Sequence, residues 1–320
     1  MTGTPRMTFR WRSRLVIPGA FLSTLLAAVP AAAQTPVPPA GVPAPAPPPA
    51  GRDRSLLLPG VGGTLQVWLV PEASGAGFTD AHCFVVIDRA AGEAMVIDAG
   101  SKSAPIALRK AAEANAKVTL LVSTHFHIDH TGGNAFILEK TAAKMVAPAK
   151  EASLITGEGL GAAEKKQLLT GSTPRIDRKV KGGDELKLGA HSAAVIEIPG
   201  HSPGSICLYF AAQKLLFSGD CIFKGSIGRL GLPQASKTHE NFVAALRSKL
   251  LTLPDDTLIL PGHGQATTVG AERASNPWFQ ETSREPKGAS AQKGKPAEKK
   301  LAEKGKAAPA PAKDGGKKKP

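Results

Sequence analysis

Cysteine is scarce in this chain, with three residues among 320: Cys83, Cys207 and Cys221. An odd number leaves at least one thiol unpaired, so we expect no obligatory disulfide in the fold. Cys83 and Cys207 lie within apolar runs typical of strands, where a small buried thiol packs like other apolar side chains. Core packing is therefore the expected role of the cysteines, in preference to a redox role.

Large apolar residues are nearly absent from the end of the chain. Residues 284–320 are mostly Lys, Ala, Pro and Gly, with twelve basic and four acidic side chains. This composition buries too little apolar surface to fold and predicts a disordered tail. Much of the formal net charge of +14 lies in this tail. We expect the tail to contact anionic envelope surfaces, with a purely solubilising role as the alternative, and we expect no specific nucleic-acid binding.

The first residues lack acidic side chains. Residues 1–14 contain four arginines, residues 15–29 form an apolar run, and Ala31-Ala32-Ala33 follows. This pattern predicts a secretory signal peptide over residues 1–33, because the apolar run is short for a membrane span. The protein is therefore expected in the periplasm or outside the cell; the alternative is an inner-membrane anchor formed by residues 15–29. Residues 34–54 are rich in Pro and Ala and predict an extended linker.

The remaining residues, 55–283, are numerous enough for one substantial domain. Apolar runs predict strands at Leu65–Val70, Cys83–Ile87, Ala94–Ile97 and Val118–Val122. Helical spacing predicts helices at residues 105–116, 131–143 and 239–251. Strands and helices alternate through both halves of this segment, which indicates an α/β fold.

The most specific feature of the sequence follows the strand predicted at Val118–Val122. Three histidines and an aspartate stand close together there: His125, His127, Asp129 and His130. Imidazole and carboxylate are ligands that zinc and similar divalent ions prefer. His125 and His127 are two positions apart, so in an extended segment their side chains point the same way. These four residues are therefore candidate metal ligands.

Three further candidate ligands also follow apolar runs and are flanked by small or turn-forming residues. They are His201, Asp220 and His263. Loops at the ends of strands meet at one edge of a sheet, which is how sites assemble in layered α/β folds. We therefore expect these three side chains to join the cluster.

Several segments carry a resemblance to a known family. They are Ile97–Gly100, Thr124–Gly133, Pro199–Ser205, Phe217–Asp220, Phe223–Arg229, Leu260–Gly264 and Thr267–Arg273. Together they resemble the metallo-β-lactamase-fold hydrolases, and among these the single-domain glyoxalase II-like (hydroxyacylglutathione hydrolase-like) branch. The resemblance implies a four-layer αββα sandwich with two mixed sheets, here flanked by disordered tails.

The resemblance also implies which residues share a metal ion. One ion would be held by His125, His127 and His201, the other by Asp129, His130 and His263, and Asp220 would bridge both. The implied cofactors are two divalent ions, expected to be zinc with iron or manganese as alternatives. Such ions lower the pKa of a shared water to about 7 and polarise a carbonyl group. The metal-bridged hydroxide would cleave a thioester or ester, and Asp129 is the expected catalytic residue because it would also orient this nucleophile.

Two aspartates outside the histidine cluster refine this interpretation. Asp98 is expected to support a histidine or the loop backbone and not to bind a metal ion directly. The family's β-lactamases usually have Cys or Ser at the position of Asp220, whereas its thioesterases, lactonases and phosphodiesterases have Asp. An exported β-lactamase or lactonase is therefore an alternative. A mononuclear iron persulfide dioxygenase, which shares nearly all of these ligands, is another, although its loop after the bridging aspartate differs.

The substrate is less strongly indicated. The chain has Leu230-Gly231-Leu232-Pro233 where resembling proteins usually have an Asp and a Phe before the proline. Nothing after Glu281 resembles the helical domain with which two-domain glyoxalase II enzymes bind glutathione. S-lactoylglutathione is thus one candidate among thioesters and esters. Lys224 and Arg229 are candidates for binding a substrate carboxylate, against the alternative of a solvated lysine and a structural arginine.

Overall fold

The computed structural model describes residues 54–58, 63–73, 80–162, 165, 173–230 and 239–280. The predicted signal peptide (1–33) and tail (284–320) lie outside these residues, as does the predicted linker (34–54) apart from Arg54. Within the described part of the chain, no helix combines the length and the apolar character needed to cross a membrane.

Seven strands of the described residues form the first sheet, and their order in the sheet follows their order in the chain. They are β1 (Leu56–Leu57), β2 (Leu65–Val70), β3 (Cys83–Asp88), β4 (Glu93–Ile97), β5 (Lys117–Val122), β6 (Lys144–Pro148) and β7 (Arg178–Val180). Neighbours from β1 to β4 are antiparallel, whereas neighbours from β4 to β7 are parallel. Every residue of β3 is buried, because both faces of this mixed sheet are covered.

The second sheet contains six described strands in the order β15-β14-β11-β10-β9-β8. They are β8 (Glu185–Leu188), β9 (His191–Glu197), β10 (Ile206–Phe210), β11 (Leu215–Gly219), β14 (Leu258–Pro261) and β15 (Thr267–Thr268). Only β11 and β14 pair in parallel, so this sheet is also mixed. The short strands β12 (Ile222–Phe223) and β13 (Ser226–Ile227) form a separate hairpin.

In the part of the chain that the structure describes, six α-helices cover the sheets: α1 (Ser103–Glu113), α2 (Ile128–Thr131), α3 (Asn134–Lys140), α4 (Ala152–Thr156), α5 (His239–Lys249) and α6 (Val269–Ser275). One core cluster lies between the sheets, where the rings of Phe84 and Phe217 are 5.1 Å apart. A second cluster packs Ala107 of α1 and Ile137 of α3 on the first sheet. A third packs Phe242 of α5 on the second sheet. The layers are therefore α, β, β and α, which confirms the predicted fold class.

The predicted elements differ from the structure mainly at one helix. All four predicted strands are confirmed within one residue of their expected ends, and the helices predicted at 105–116 and 239–251 correspond to α1 and α5. The helix predicted at 131–143 is wrong at both ends, because α2 ends at Thr131 and the following helix α3 begins at Asn134 and ends at Lys140. A side chain at Gly133 would lie 2.3 Å from the carbonyl oxygen of Gly100. The chain therefore breaks the helix where it passes the Ala99–Ser101 loop.

All three cysteines are buried. Cys83 packs in the cluster on the outer face of the first sheet, and Cys207 and Cys221 pack in the cluster beneath α5. Burial raises the pKa of the Cys83 thiol above its ordinary value. This burial confirms the packing role expected of the cysteines.

Asp88 links the two sheets at the end opposite the histidine cluster, and it provides a test of the fold by pH. Its carboxylate accepts hydrogen bonds from the backbone amides of Ala90 (2.9 Å), Ala91 (3.3 Å) and Ala190 (3.0 Å). Burial would raise the pKa of Asp88, but these amides outweigh it and hold the pKa below its ordinary value. The ionised form therefore stabilises the fold above pH 3.8, and this contribution is lost as the pH falls through the lower folded-state pKa.

Asp88→Asn is expected to lower the free energy of unfolding at pH 7 by about 1–3 kcal/mol, because its amide group must face backbone donors. Urea unfolding from pH 7 downwards would measure the difference in the free energy of unfolding between variant and wild type. The difference should begin to narrow below about pH 3.8, where Asp88 of the unfolded chain becomes protonated, and it should close as the pH falls through the lower folded-state pKa. A difference that stays constant to pH 2 would contradict this role of the carboxylate.

Candidate metal centre

The seven predicted ligands lie in loops that follow strands, at one edge of the sandwich. His125 and His127 follow β5, and Asp129 and His130 lie in α2, which begins directly after them. His201 follows β9, Asp220 follows β11 and His263 follows β14. The carboxyl ends of the parallel pair β11 and β14 meet at this edge, as expected for such pairs. The fold thus brings all seven side chains together.

Three histidines form the first group. Nδ1 of His127 lies 2.9 Å from Nε2 of His125 and 3.0 Å from Nε2 of His201. Burial lowers the pKa of His125 and His201, and it lowers the pKa of His127 to about 4. The three imidazoles are therefore neutral at pH 7, which is the form that binds a metal ion.

The second group combines a carboxylate with two histidines. Oδ2 of Asp129 lies 3.2 Å from Nε2 of His263 and 3.6 Å from Nε2 of His130. Burial would raise the pKa of Asp129, but the hydrogen bond from His263 and the charge of His130 outweigh it and lower the pKa. Asp129 is therefore ionised at neutral pH.

Asp220 lies between the two groups. Its Oδ1 is 3.3 Å from Nε2 of His130, while its Oδ2 is 3.4 Å from Nε2 of His201 and 3.8 Å from Nε2 of His263. A side chain at Gly262 would lie 2.3 Å from Oδ1, so only glycine leaves room for this carboxylate. Among the seven side chains, Asp220 is the one carboxylate within 4 Å of histidines from both groups.

Two buried atoms test whether these residues suit a metal ion. Nε2 of His130 and Oδ1 of Asp220 are buried and have no hydrogen-bond partner among the described residues. Buried polar atoms without partners are destabilising, and a divalent cation would satisfy both. Each of three sets of ligand atoms has its members within 4.8 Å of one another: His125, His127 and His201; His125, His130 and Asp220; and Asp129, His130 and His263. The donor atoms are nitrogen and oxygen, which suits zinc, iron and manganese.

The charges around His130 also favour a cation. Burial would lower the pKa of His130, but the carboxylates of Asp220 and Asp98 outweigh it and raise the pKa well above its ordinary value. Burial would likewise raise the pKa of Asp220, but the charge of His130 outweighs it and lowers the pKa. The anionic surroundings that hold a proton on His130 would equally attract a divalent ion.

Asp98 orients His130 from behind. Its backbone is in the left-handed region, with φ of 56°, which Asp tolerates better than most residues. Its Oδ1 accepts from the Thr124 amide at 2.7 Å, and its Oδ2 accepts from the Thr124 hydroxyl at 2.7 Å and from Nδ1 of His130 at 2.9 Å. Asp98 therefore keeps a proton on Nδ1, so that Nε2 presents its lone pair to the site when a cation takes the place of the second proton. These contacts confirm the supporting role expected of Asp98.

Three of the other histidines are oriented in a similar way, whereas His127 faces the site with Nδ1. Nδ1 of His125 is 3.1 Å from the Thr124 hydroxyl, Nδ1 of His201 donates to the Arg229 carbonyl at 2.9 Å, and Nδ1 of His263 is 3.1 Å from Oε2 of Glu72. Each acceptor holds a proton on Nδ1 and so leaves Nε2 free to bind a cation.

The two predicted substrate-binding residues have different positions. Lys224 is exposed on the β12–β13 hairpin, where its amine donates to Oε1 of Gln265 at 2.8 Å. The hairpin is close to the site, since the ring of Phe223 is 6.3 Å from that of His263. The side chain of Arg229 is exposed, and its contact with the site is made by its backbone carbonyl.

Two supporting contacts were not predicted, those of Glu72 and of the Arg229 carbonyl, and the buried carboxylate of Glu151 was not singled out either. Glu72 and Arg229 reach the site only through tertiary packing, so no local sequence signal marks them. Glu151 follows β6, the parallel neighbour of β5. A carboxylate placed just after that strand was therefore a usable signal, because it lies at the same edge of the sheet.

Comparison with known proteins agrees with this geometry. The family model described as Metallo-beta-lactamase superfamily matches residues 76–263, a span that includes all seven clustered side chains. The chain belongs to this superfamily. This membership places the chain among metallo-hydrolases with the same fold. Together with the donor sets described above, it indicates a capacity to bind divalent metal ions.

Relatives within the superfamily include a named hydrolase. The hydroxyacylglutathione hydrolase GloC of Haemophilus influenzae is 31% identical over 192 residues, which cover 58% of this chain and 87% of that protein. The structure of the BLEG-1 B3 metallo-beta-lactamase has a TM-score of 0.55 at 24% identity and covers 71% of this chain and 99% of its own. The structure of ETHE1 from Myxococcus xanthus has a TM-score of 0.53 at 24% identity. It covers 65% of this chain and 82% of its own. These two structures share the fold.

Proposed function

We propose that this protein is a binuclear metallohydrolase of the glyoxalase II-like branch that cleaves a thioester or ester. The observation that supports it best is the position of Asp220, whose two oxygens face histidines of both groups. A carboxylate so placed suits a pair of neighbouring cations better than a single one. In this proposal His125, His127 and His201 hold one ion, and Asp129, His130 and His263 hold the other.

Two divalent ions at this position would supply an activated water at neutral pH and would polarise the carbonyl group of the substrate. The protein's own part is to fix the donors before substrate arrives. Asp98, Thr124, Glu72 and the Arg229 carbonyl hold the imidazole tautomers, as their contacts with Nδ1 atoms indicate. Preorganised donors of this kind cost no reorganisation during reaction.

Asp129 is the proposed catalytic residue. Its carboxylate is ionised, since its pKa is lowered by His263 and His130 against the effect of burial. About a quarter of its side chain is exposed, at 24%, so it faces the opening of the site as well as the two histidines. An ionised, partly exposed carboxylate can accept a hydrogen bond from the attacking water and so orient it toward the substrate.

The substrate is proposed to be an anionic thioester, with S-lactoylglutathione as one candidate. This choice is supported by the relative named hydroxyacylglutathione hydrolase and by the exposed ammonium group of Lys224 beside Phe223 and His263. Arg229 would add a second exposed positive charge on the same segment. We further propose that the protein is exported and that its basic tail contacts anionic envelope surfaces.

A substrate comparison tests the proposed function. The full-length protein would be assayed with S-lactoylglutathione, a neutral thioester, nitrocefin and glutathione persulfide. Hydrolysis of thioesters is expected to dominate. The anionic thioester is expected to have the lower KM by about twofold to fivefold, as exposed charge pairing of about 0.4–1 kcal/mol would give. Oxygen uptake with the persulfide, or turnover of nitrocefin alone, would favour the alternative activities and contradict this proposal.

A further inference from the structure

Glu151 is a buried carboxylate that lies behind the candidate metal centre and has no part in the mechanism above. It stands between the end of β6 and the start of α4, and its side chain is fully buried. A buried carboxylate is costly unless its oxygens accept hydrogen bonds. The groups that donate to Glu151 therefore indicate what it does.

One set of donors belongs to the turn that carries His201. The hydroxyl of Ser202 donates to Oε1 of Glu151, and the backbone amide of Gly204 donates to the same oxygen at 2.6 Å. A side chain at Gly204 would lie 3.0 Å from Cγ of Glu151, so glycine allows this close approach. The amide of Ser202 donates in turn to the Ser205 hydroxyl at 3.2 Å. Glu151 thus anchors the turn from its inner side.

The opposite neighbour of Glu151 is the loop that carries His125 and His127. The amide of Phe126, between these two ligands, lies near the carboxylate but makes no hydrogen bond with it, and Oε2 of Glu151 is buried without a partner among the described residues. Burial raises the pKa of Glu151 to about 7, while the Ser202 hydroxyl and the amides of Gly204 and Phe126 lower it. The same loop is tied to the turn directly, since the Ile206 amide donates to the Thr124 carbonyl at 3.0 Å. Glu151 therefore lies where the two ligand-bearing segments meet.

We propose that Glu151 is a positioning residue for the metal site of His125, His127 and His201. It holds the turn bearing His201 against the loop bearing the other two histidines, at the separation that one cation requires. Glu151 contacts none of the three imidazoles in the described structure, so its effect passes through Ser202, Gly204 and the backbone. The proposal rests on the proposed function only in that these histidines bind a metal ion.

The test measures metal affinity in the full-length protein, independently of any substrate. Glu151→Leu removes the acceptor, whereas Glu151→Gln keeps one oxygen for Ser202 and Gly204. Zinc dissociation constants would be obtained by competition with a chromophoric chelator. Each constant would be assigned to one of the two sites by its loss in His201→Ala or in His263→Ala. Glu151→Leu is expected to lower the zinc affinity of the site that is lost in His201→Ala by about 10–100-fold. The zinc affinity of the other site should fall by less than about threefold. Glu151→Gln is expected to retain most of the affinity.

A matched control separates positioning from general destabilisation. Glu272 is also a buried carboxylate with three donors: the Thr267 hydroxyl at 2.6 Å, the Gly225 amide at 2.9 Å and the Asn276 amide group at 2.8 Å. Glu272→Leu is expected to lower thermal stability and to leave both zinc affinities within about threefold of wild type. A selective loss in Glu151→Leu alone would support the proposal.

A second variant keeps the test decisive if Glu151→Leu does not fold. Ser202→Ala removes one donor from the turn and is expected to weaken the same ion by about threefold to tenfold. Unchanged affinity at the His125, His127 and His201 site in Ser202→Ala or Glu151→Leu would overturn the proposal, as would equal weakening of both ions. Wild-type protein that binds no zinc would overturn both this inference and the proposed function, whereas normal wild-type binding with no selective loss would overturn this inference alone.

Discussion

Replacing Asp220 by alanine is expected to remove at least one of the two metal ions and to lower kcat/KM for thioester hydrolysis by about 1000-fold. The reason is that Asp220 lies within 3.3–3.8 Å of His130, His201 and His263 and is the carboxylate shared by both groups. Without it, the imidazoles converge with no anion between them. Metal-ion catalysis is worth several kcal/mol, and a loss of about 4 kcal/mol corresponds to about 1000-fold.

Asp256→Ala is the matched control for Asp220→Ala. Asp256 is an exposed carboxylate paired with Lys214 at 2.5 Å, at the opposite end of β11 from Asp220. Exposed ion pairs contribute little to stability, so this control should keep both metal ions and near-normal kinetics. Metal content by elemental analysis and steady-state kinetics would be measured for both variants. Two ions and more than a tenth of wild-type kcat/KM in Asp220→Ala would argue against a bridging role.

The second large effect is expected from Asp98→Asn, which keeps the shape of the side chain but changes its proton pattern. The Thr124 amide donates to Oδ1 at 2.7 Å, so the asparagine oxygen must occupy that position. In the wild type, Nδ1 of His130 donates to Oδ2 of Asp98 at 2.9 Å. In the variant, this Nδ1 would face the new amide group, which is itself a donor. His130 must therefore move its proton to Nε2, the atom that faces the metal site. A protonated Nε2 cannot bind a cation.

We expect Asp98→Asn to lower the affinity of the Asp129, His130 and His263 site for its metal ion by about 10–100-fold. The free energy of unfolding should change by less than about 2 kcal/mol, because the side chain still makes its hydrogen bonds. Asp98→Gly is the contrasting variant: it suits the positive φ of 56°, but it leaves the His130 and Thr124 donors without an acceptor. Chelator competition and urea unfolding would be measured for both. If Asp98→Asn binds both ions with wild-type affinity, the proposed tautomer control is wrong.

Local sequence patterns were sufficient for most of the fold. The strands β2 to β5 could be predicted because each is a short apolar run. In β3 the side chains on both faces of the strand are buried. Burial of both faces removes the alternation of polar and apolar residues but leaves a continuous apolar run. The break between α2 and α3 was missed because it depends on the close approach of Gly133 to Gly100, a tertiary contact that helical spacing does not encode.

The candidate site was predictable in part for a similar reason. The ligand types and their positions after strands identified all seven side chains that the fold brings together. The groups that orient them were harder to predict. Glu72 lies far from His263 in sequence, and the Arg229 carbonyl belongs to the backbone, so neither has a chemical signature of its own. Such supporting contacts arise only when the segments pack together.

The number of metal ions per chain tests the central claim most directly. Full-length protein that is active on a thioester would be analysed for metal content, with protein concentration determined by amino-acid analysis. The account predicts two divalent ions per chain, and it predicts that His201→Ala and His263→Ala each lose one of them. A fully active wild-type protein that contains a single iron ion would contradict the binuclear hydrolytic mechanism.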